Sequence, residues 1–275
     1  MSIKLVAIDM DGTLLNSATH VSQQNKEAIV KAMAKGILIV PTTGRSYKNI
    51  KNVLINDLPR LPYYVSSNGA IVVNGKREEI IYERVMKRED IKAVYEIVKK
   101  YPVFTEIYSG FNAYADEQGI YHFYRSVFED EQCNQFLETA TIVKDLSTII
   151  GDDSISISKF DIISETAKVN TKLKNEIAEI DGLYPVTIIP EGMELIEGKW
   201  CKRDGLKELI GKLNIRQEEV MVIGDSDNDI EMMEWSPNAV AMGNANDKVK
   251  SLANYITGTN DEAGVAQALY EYLDI

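Results

Sequence analysis

Cysteine is nearly absent. Cys133 and Cys201 are the chain's two, and no CxxC pair occurs, which argues against both a disulfide framework and a zinc site. No apolar stretch approaches the roughly 18 residues that a membrane span requires. Basic tracts are short and the net charge is −12, with an isoelectric point near 4.8. That balance argues against nucleic acid or an anionic membrane as a partner. Neither G-x-G-x-x-G nor G-x-x-x-x-G-K-[ST] occurs, so dinucleotide-binding and P-loop folds lose their main support. The two histidines, His20 and His122, lie in separate regions with no Ser or Cys pattern beside them and are read as incidental. There is no internal repeat and no low-complexity segment. No signal peptide stands ahead of the first apolar run, so a cytoplasmic location is expected.

The 275 residues are 45% hydrophobic and 26% charged, the balance of a soluble globular protein. They are too many for one typical core, so one large or two ordinary domains are expected. An acidic protein that handles an anion needs local help from a metal ion and a few placed cations.

The chain is organised around residues 4–13, where four apolar residues run straight into Asp9, Met10, Asp11, Gly12 and Thr13. A continuous apolar run ended by a turn signal reads as a strand buried on both faces of a parallel sheet. Side chains alternate along a strand, so Asp9 and Asp11 leave its carboxyl end pointing the same way, and that end is where open α/β sheets bind ligands. The alternative is an Asp-rich turn, since Asp and Gly are ordinary turn residues. Residues 22–36 follow with helical spacing of Ile29, Ala32 and Met33, Ser22 as N-cap and Gly36 at the end. A second apolar run over 37–40 completes a βαβ unit and ends in Thr42-Thr43-Gly44-Arg45. Asn74-Gly75 between apolar runs signals a hairpin.

Near residue 84 the pattern changes to aromatic and β-branched strands interspersed with helices. This predicts an α+β layer, one sheet with helices on one face, inserted over 84–192 into a domain formed by 1–83 and 193–275. From about 198 the βα alternation resumes, and the strand over 220–223 runs into Gly224, Asp225, Ser226, Asp227, Asn228 and Asp229. The expected fold class is α/β: a Rossmann-like, doubly wound parallel-sheet core with an inserted α+β cap.

Two acidic clusters that each follow a buried strand can meet at one sheet edge, where hard carboxylate oxygens suit Mg²⁺. An EF-hand is excluded, because positions six and twelve from Asp225 are Ile230 and Ser236 in place of Gly and Glu. The Thr42–Arg45 loop offers a hydroxyl, a backbone N–H and a helix start, all suited to phosphate; taken alone it reads better as a strand-to-helix loop with an N-cap. Lys202 could supply a point charge for phosphate or be a solvated surface lysine.

Asp9–Thr13, Thr43-Gly44-Arg45, Lys202 and Gly224–Asp229, in that order, resemble the motifs of the haloacid dehalogenase (HAD) superfamily, specifically its Cof-type phosphatases with a type C2B cap. The segments 241–245 and 260–264 are similar to that group as well. Arg203, Asp204 and Gly205 depart from it, since small residues commonly follow the lysine there.

The resemblance implies roles. Asp9 is the expected nucleophile, forming an aspartyl-phosphate. Asp11 is the expected acid and then base, with its proton affinity raised above that of Asp9. Mg²⁺ would be held by Asp9, the Asp11 backbone carbonyl and Asp225, with Asp229 orienting from behind. Thr43, the Gly44 and Met10 N–H groups, Lys202 and Asn228 would hold the phosphoryl oxygens. The insert would be a cap that closes over the site and selects the leaving group. Tyr108, Asn112, Tyr114, His122 and Arg125 are its candidate contacts, each weighed against an ordinary half-buried sheet face. The implied activity is Mg²⁺-dependent hydrolysis of a small phosphorylated metabolite, a sugar phosphate or a phosphorylated cofactor, by a monomer or small homo-oligomer. The alternatives are a phosphomutase using the same intermediate and a non-catalytic phosphometabolite sensor.

Overall fold

The computed structural model describes residues 2–120 and 130–275, which form two compact units. One comprises Met1–Arg45, Ile50–Tyr82 and Cys201–Ile275; the other comprises Ser46–Asn49 and Glu83–Trp200.

The first unit is built on a five-stranded, all-parallel sheet in the order Tyr255–Ile256, Asn238–Ala241, Val220–Gly224, Leu5–Ile8, Leu38–Pro41. Leu5–Ile8 lies inside the sheet with every side chain fully buried, which is why its sequence is apolar without alternation. Leu5, Val6 and Ile8 each contribute about 1.5–3 kcal/mol by leaving water. Helix Gln23–Ala34 starts on the Ser22 side chain, which accepts from the Asn25 N–H. It packs against helix Gly264–Tyr272, where the Ala266 N–H donates to the buried Asn25 Oδ1 at 2.8 Å. Helix Ile230–Trp235 packs against both Asp247–Leu252 and Lys202–Leu213. The fold is the expected α/β, Rossmann-like class. The Asn74-Gly75 hairpin forms, but with a turn over 75–78 between Ile71–Asn74 and Glu79–Glu83, longer than the two-residue turn that Asn-Gly favours.

The second unit carries a six-stranded sheet in the order Val186–Ile189, Gly192–Leu195, Lys159–Ser164, Val103–Ser109, Asn112–Asp116, Thr141–Val143. It is antiparallel except between its last two strands. Two expectations are corrected here. The return to the first unit falls after Trp200 and not at 193, because Gly192–Leu195 hydrogen-bonds to Lys159–Ser164 and is a strand of the inserted sheet. Helices also lie on both faces. Arg88–Val98 and Ala167–Ala178 bury Ile91, Val94, Leu173 and Ile177 against Ile107, Phe160 and Ile162. Helix Asp130–Thr139 packs Cys133 and Phe136 against Phe104 and Ile163, which point the other way. Register decides this, since Phe104 pairs with Ile163 and Ile107 with Phe160, and successive residues of a strand face opposite sides.

Candidate active site

The first unit gathers the residues singled out at the three strand ends. Asp9 follows Leu5–Ile8, anchored by its N–H to the Ile223 carbonyl at 3.0 Å, and is only 3% exposed. Thr43 follows Leu38–Pro41, and its N–H donates to the Val65 carbonyl at 2.9 Å. Asp225 follows Val220–Gly224 and accepts from the Thr13 hydroxyl at 2.7 Å. Gly12 permits that approach. Its φ is +78°, and a Cβ there would sit 2.5 Å from Asp225 Oδ2, so an L side chain meets both backbone strain and a clash.

Lys202 is the cation of this cluster. It opens helix Lys202–Leu213, whose first turn is closed by the Asp204 carboxylate accepting the Cys201 N–H at 3.2 Å. The helix start comes close to the loop over 66–69, where the Cα of Gly69 would carry a Cβ 2.3 Å from the Cys201 carbonyl oxygen. That contact admits only glycine. The Lys202 ammonium, 1% exposed, donates to Asp9 Oδ1 at 2.5 Å, Asp229 Oδ1 at 2.7 Å and Asn228 Oδ1 at 3.2 Å. The surface-lysine alternative is thereby excluded. Asp229 is fully buried, and its second oxygen accepts the Asp225 and Ser226 N–H groups. Asp227 turns away and accepts from Asn246.

Electrostatics follow from burial. Desolvation pushes the Asp9 carboxyl well above the ordinary carboxylate range, with Asp229 adding to the shift and Lys202 opposing it. Asp225 is raised as well, first by desolvation. Desolvation works to lower the Lys202 ammonium, but Asp229 and Asp9 outweigh it and hold the lysine charged.

Asp11 behaves oppositely to the expectation. Its two oxygens accept from Arg45 Nε at 2.8 Å and Nη2 at 2.7 Å, a two-point pair that suits the planar guanidinium. Desolvation works to raise its carboxyl, and the Arg45 charge and hydrogen bonds outweigh it and hold it below the usual range. In this geometry the proton affinity of Asp9 exceeds that of Asp11, reversing the predicted order.

Asp9, Asp225 and Asp229 each bring one carboxylate oxygen within 4.8 Å of the others. Asp9 and Asp225 come close enough to share a hydrogen bond, a juxtaposition of like charges that calls for a cation or a proton. Since Asp229 is already committed to Lys202 and two backbone N–H groups, Asp9 and Asp225 are the better metal donors. The donor set is hard oxygen throughout, which fits a divalent ion such as Mg²⁺.

The loop over 66–69 joins the site without carrying a catalytic motif of its own. Ser67, Asn68 and Gly69 all have positive φ, which is costly for Ser and tolerated by Asn. The loop is pinned by the Ser67 N–H to the Arg45 carbonyl and the Asn68 N–H to the Thr43 carbonyl. The Asn68 side chain also accepts from Asn228 Nδ2 at 3.5 Å. Asn and Gly tolerate left-handed backbone, and the fold shows that the loop braces the Thr43 segment.

In the second unit, Tyr108 is buried and bonded to Asp161. Tyr114 is half-buried and packs against the apolar cluster beneath the helices, and Asn112 is a half-buried strand residue. His122 and Arg125 lie outside the described residues. His20 sits beside Asp57 at 3.5 Å on the surface.

A parallel sheet whose carboxyl edge presents Asp9, Asp225 and a buried lysine defines a HAD-type hydrolase. The chain belongs to the haloacid dehalogenase-like hydrolase family, whose model matches residues 6–269. It is 30% identical over 275 residues, 99% of this chain and 97% of the relative, to the 5-amino-6-(5-phospho-D-ribitylamino)uracil phosphatase YcsE of Bacillus subtilis. A solved haloacid dehalogenase-like hydrolase from B. subtilis superposes with a TM-score of 0.85 at 26% identity, covering 98% of this chain and all of that one. A HAD subclass IIB sugar phosphatase superposes with a TM-score of 0.78 at 25% identity over 98% of both chains. The protein is a HAD-family phosphatase. Among its described residues no helix is long and apolar enough to cross a membrane.

Proposed function

We propose that the protein hydrolyses small phosphorylated metabolites, sugar phosphates or phosphorylated cofactors, with Mg²⁺ and through an aspartyl-phosphate on Asp9. The observation that carries this is the Asp9 carboxylate, buried at the strand end with one oxygen held at 2.5 Å by the Lys202 ammonium. Asp9 attacks phosphorus in line, and the bond from phosphorus to the ester oxygen breaks. Asp11 gives the leaving alkoxide its proton, which requires the Arg45 pair to open first. The Asp11 carboxylate then takes a proton from water as that water attacks phosphorus, releasing Asp9 and inorganic phosphate. Lys202, Thr43, Asn228 and the Gly44 and Met10 N–H groups hold the phosphoryl oxygens as their charge develops. The Asp9 and Asp225 carboxylates and the Asp11 backbone carbonyl would hold Mg²⁺, which when bound offsets the repulsion between carboxylates and phosphate. Asp229 keeps Lys202 and the Asp225 loop in place. The substrate class is supported by the relatives, one a phosphatase of a phosphoribitylamino-uracil and one a sugar phosphatase.

The test is phosphate release from a panel of phosphorylated metabolites in Mg²⁺ and in EDTA, beside Asp9→Asn. Metal-dependent release that the variant loses by at least about a thousandfold is expected, since a missing nucleophile removes the covalent route. Appreciable activity in a folded Asp9→Asn protein would refute the assignment.

A further inference from the structure

Arg45 occupies both oxygens of the Asp11 carboxylate. Asp11 Oδ2 accepts from Arg45 Nε at 2.8 Å and Oδ1 accepts from Arg45 Nη2 at 2.7 Å. To pass a proton to an ester oxygen, one of these oxygens must face the substrate, so the fork has to part before Asp11 can act.

The two arms of the fork differ in their surroundings. The Asp11 side chain is 56% exposed and that of Arg45 is 19% exposed. An ion pair with one arm so open to water is weak and exchanges readily. The Arg45 backbone is pinned, its N–H donating to the Thr43 hydroxyl at 3.3 Å and its carbonyl accepting the Ser67 N–H at 3.0 Å, so the guanidinium stays close to the same spot when Asp11 leaves it. Arginine remains charged at any working pH. A guanidinium that gives up its anion where little water reaches is costly unless another anion takes over.

The substrate is at hand to supply that anion. Asp11 acts on the ester oxygen, and Arg45 lies one hydrogen bond beyond Asp11, on the side of the alcohol part. The fork already holds a carboxylate at two points, a match of planar groups. A substrate carboxylate on the carbon that bears the ester oxygen, or on the next carbon, repeats that pairing, whereas a neutral alcohol has nothing to put in the place of Asp11.

The geometry points to Arg45 as a specificity-determining residue: its guanidinium exchanges the Asp11 carboxylate for a carboxylate of the substrate, so that phosphorylated hydroxy acids release Asp11 and are preferred over phosphate esters of neutral alcohols. This narrows the substrate class of the phosphatase reading and rests on it, with Asp11 as proton donor.

The test measures kcat/KM in Mg²⁺ on two matched pairs, 2-phosphoglycerate beside glycerol 2-phosphate and 3-phosphoglycerate beside glycerol 3-phosphate. Within each pair a carboxylate replaces a hydroxymethyl group. Wild type should favour the carboxylate by at least about tenfold, the scale of a hydrogen bond to a charged group, and Arg45→Met should erase that preference. Arg45→Lys keeps the charge without the two-point fork and should lose most of it; this variant stands in if circular dichroism shows the methionine variant unfolded. No preference in wild type, or a preference that survives in the variants, overturns the proposal. So does an equal loss on both members of each pair, which would make Arg45 a support for Asp11 or a contact to the phosphoryl group. Wild type that releases phosphate from none of the four esters sinks the phosphatase reading instead. Melting temperature then decides the carboxylate site: a larger rise with the phosphoglycerates than with the glycerol phosphates, seen in wild type and absent in Arg45→Met, upholds it, and equal rises overturn it.

Discussion

Replacing Lys202 by methionine removes the ammonium while keeping most of the side-chain volume. Asp9 and Asp229, which are 3% and 0% exposed, would lose the cation at 2.5 and 2.7 Å, and Asp225 lies within 4.8 Å of both. Removing one partner of a buried ion pair leaves a desolvated charge behind and costs about 3–5 kcal/mol. A domain of about 150–250 residues shifts its melting temperature by roughly 2–4 °C per kcal/mol, so the loss converts to about 6–20 °C. Lys202 also lowers the proton affinity of Asp9, so without it the carboxyl holds its proton to higher pH. Phosphate release should fall by at least about a hundredfold, the scale of one lost electrostatic contact to a transition state. Calorimetric melts of both proteins in EDTA and in Mg²⁺ check the stability. The deficit should be largest in EDTA and shrink in Mg²⁺, because a cation at Asp9 and Asp225 substitutes for the lost charge. A variant that melts within about 2 °C of wild type in EDTA would refute the reasoning, since no value in the range for breaking a buried pair gives so small a shift.

Asp225→Asn should raise the Mg²⁺ concentration for half-maximal activity by at least about tenfold, since loss of even an outer-shell partner costs a metal site that much; an unchanged requirement removes Asp225 from the metal set. The inserted sheet predicts a pH dependence of stability. Glu106 and Asp161 are raised to about 8 and about 7, so the folded protein binds their protons more tightly than the unfolded chain, whose carboxyls titrate near 4. Their stabilising contribution is complete below pH 4 and lost as pH rises through 7 and 8. Melting temperature in saturating Mg²⁺ should therefore fall between pH 5 and 8.5, and Glu106→Gln should flatten that decline; parallel curves for the two proteins would contradict it.

The core site was legible because its chemistry is local. An apolar run that stops at Asp9 or Asp225 states both a buried strand and the position of its acid, as strand periodicity is fixed by covalent geometry. The Asp11–Arg45 fork was not legible, although both residues stood in recognised motifs. Their pairing depends on where the loops after Leu5–Ile8 and Leu38–Pro41 point, and it inverts the predicted ranking of Asp9 and Asp11. The brace at Ser67–Gly69 is written only as an ordinary Ser-Asn-Gly turn.

By itself the sequence determined the α/β class, the family and the residues at the strand ends, because each follows from short-range pattern. Tertiary structure alone decided which charges meet. Lys202 reaches Asp9 across 193 residues of sequence, and Asp161 reaches Glu194 and Glu106 only through the register of three strands. Proton affinities depend on burial and on neighbours within a few ångströms, so they belong to the folded arrangement and not to the order of residues.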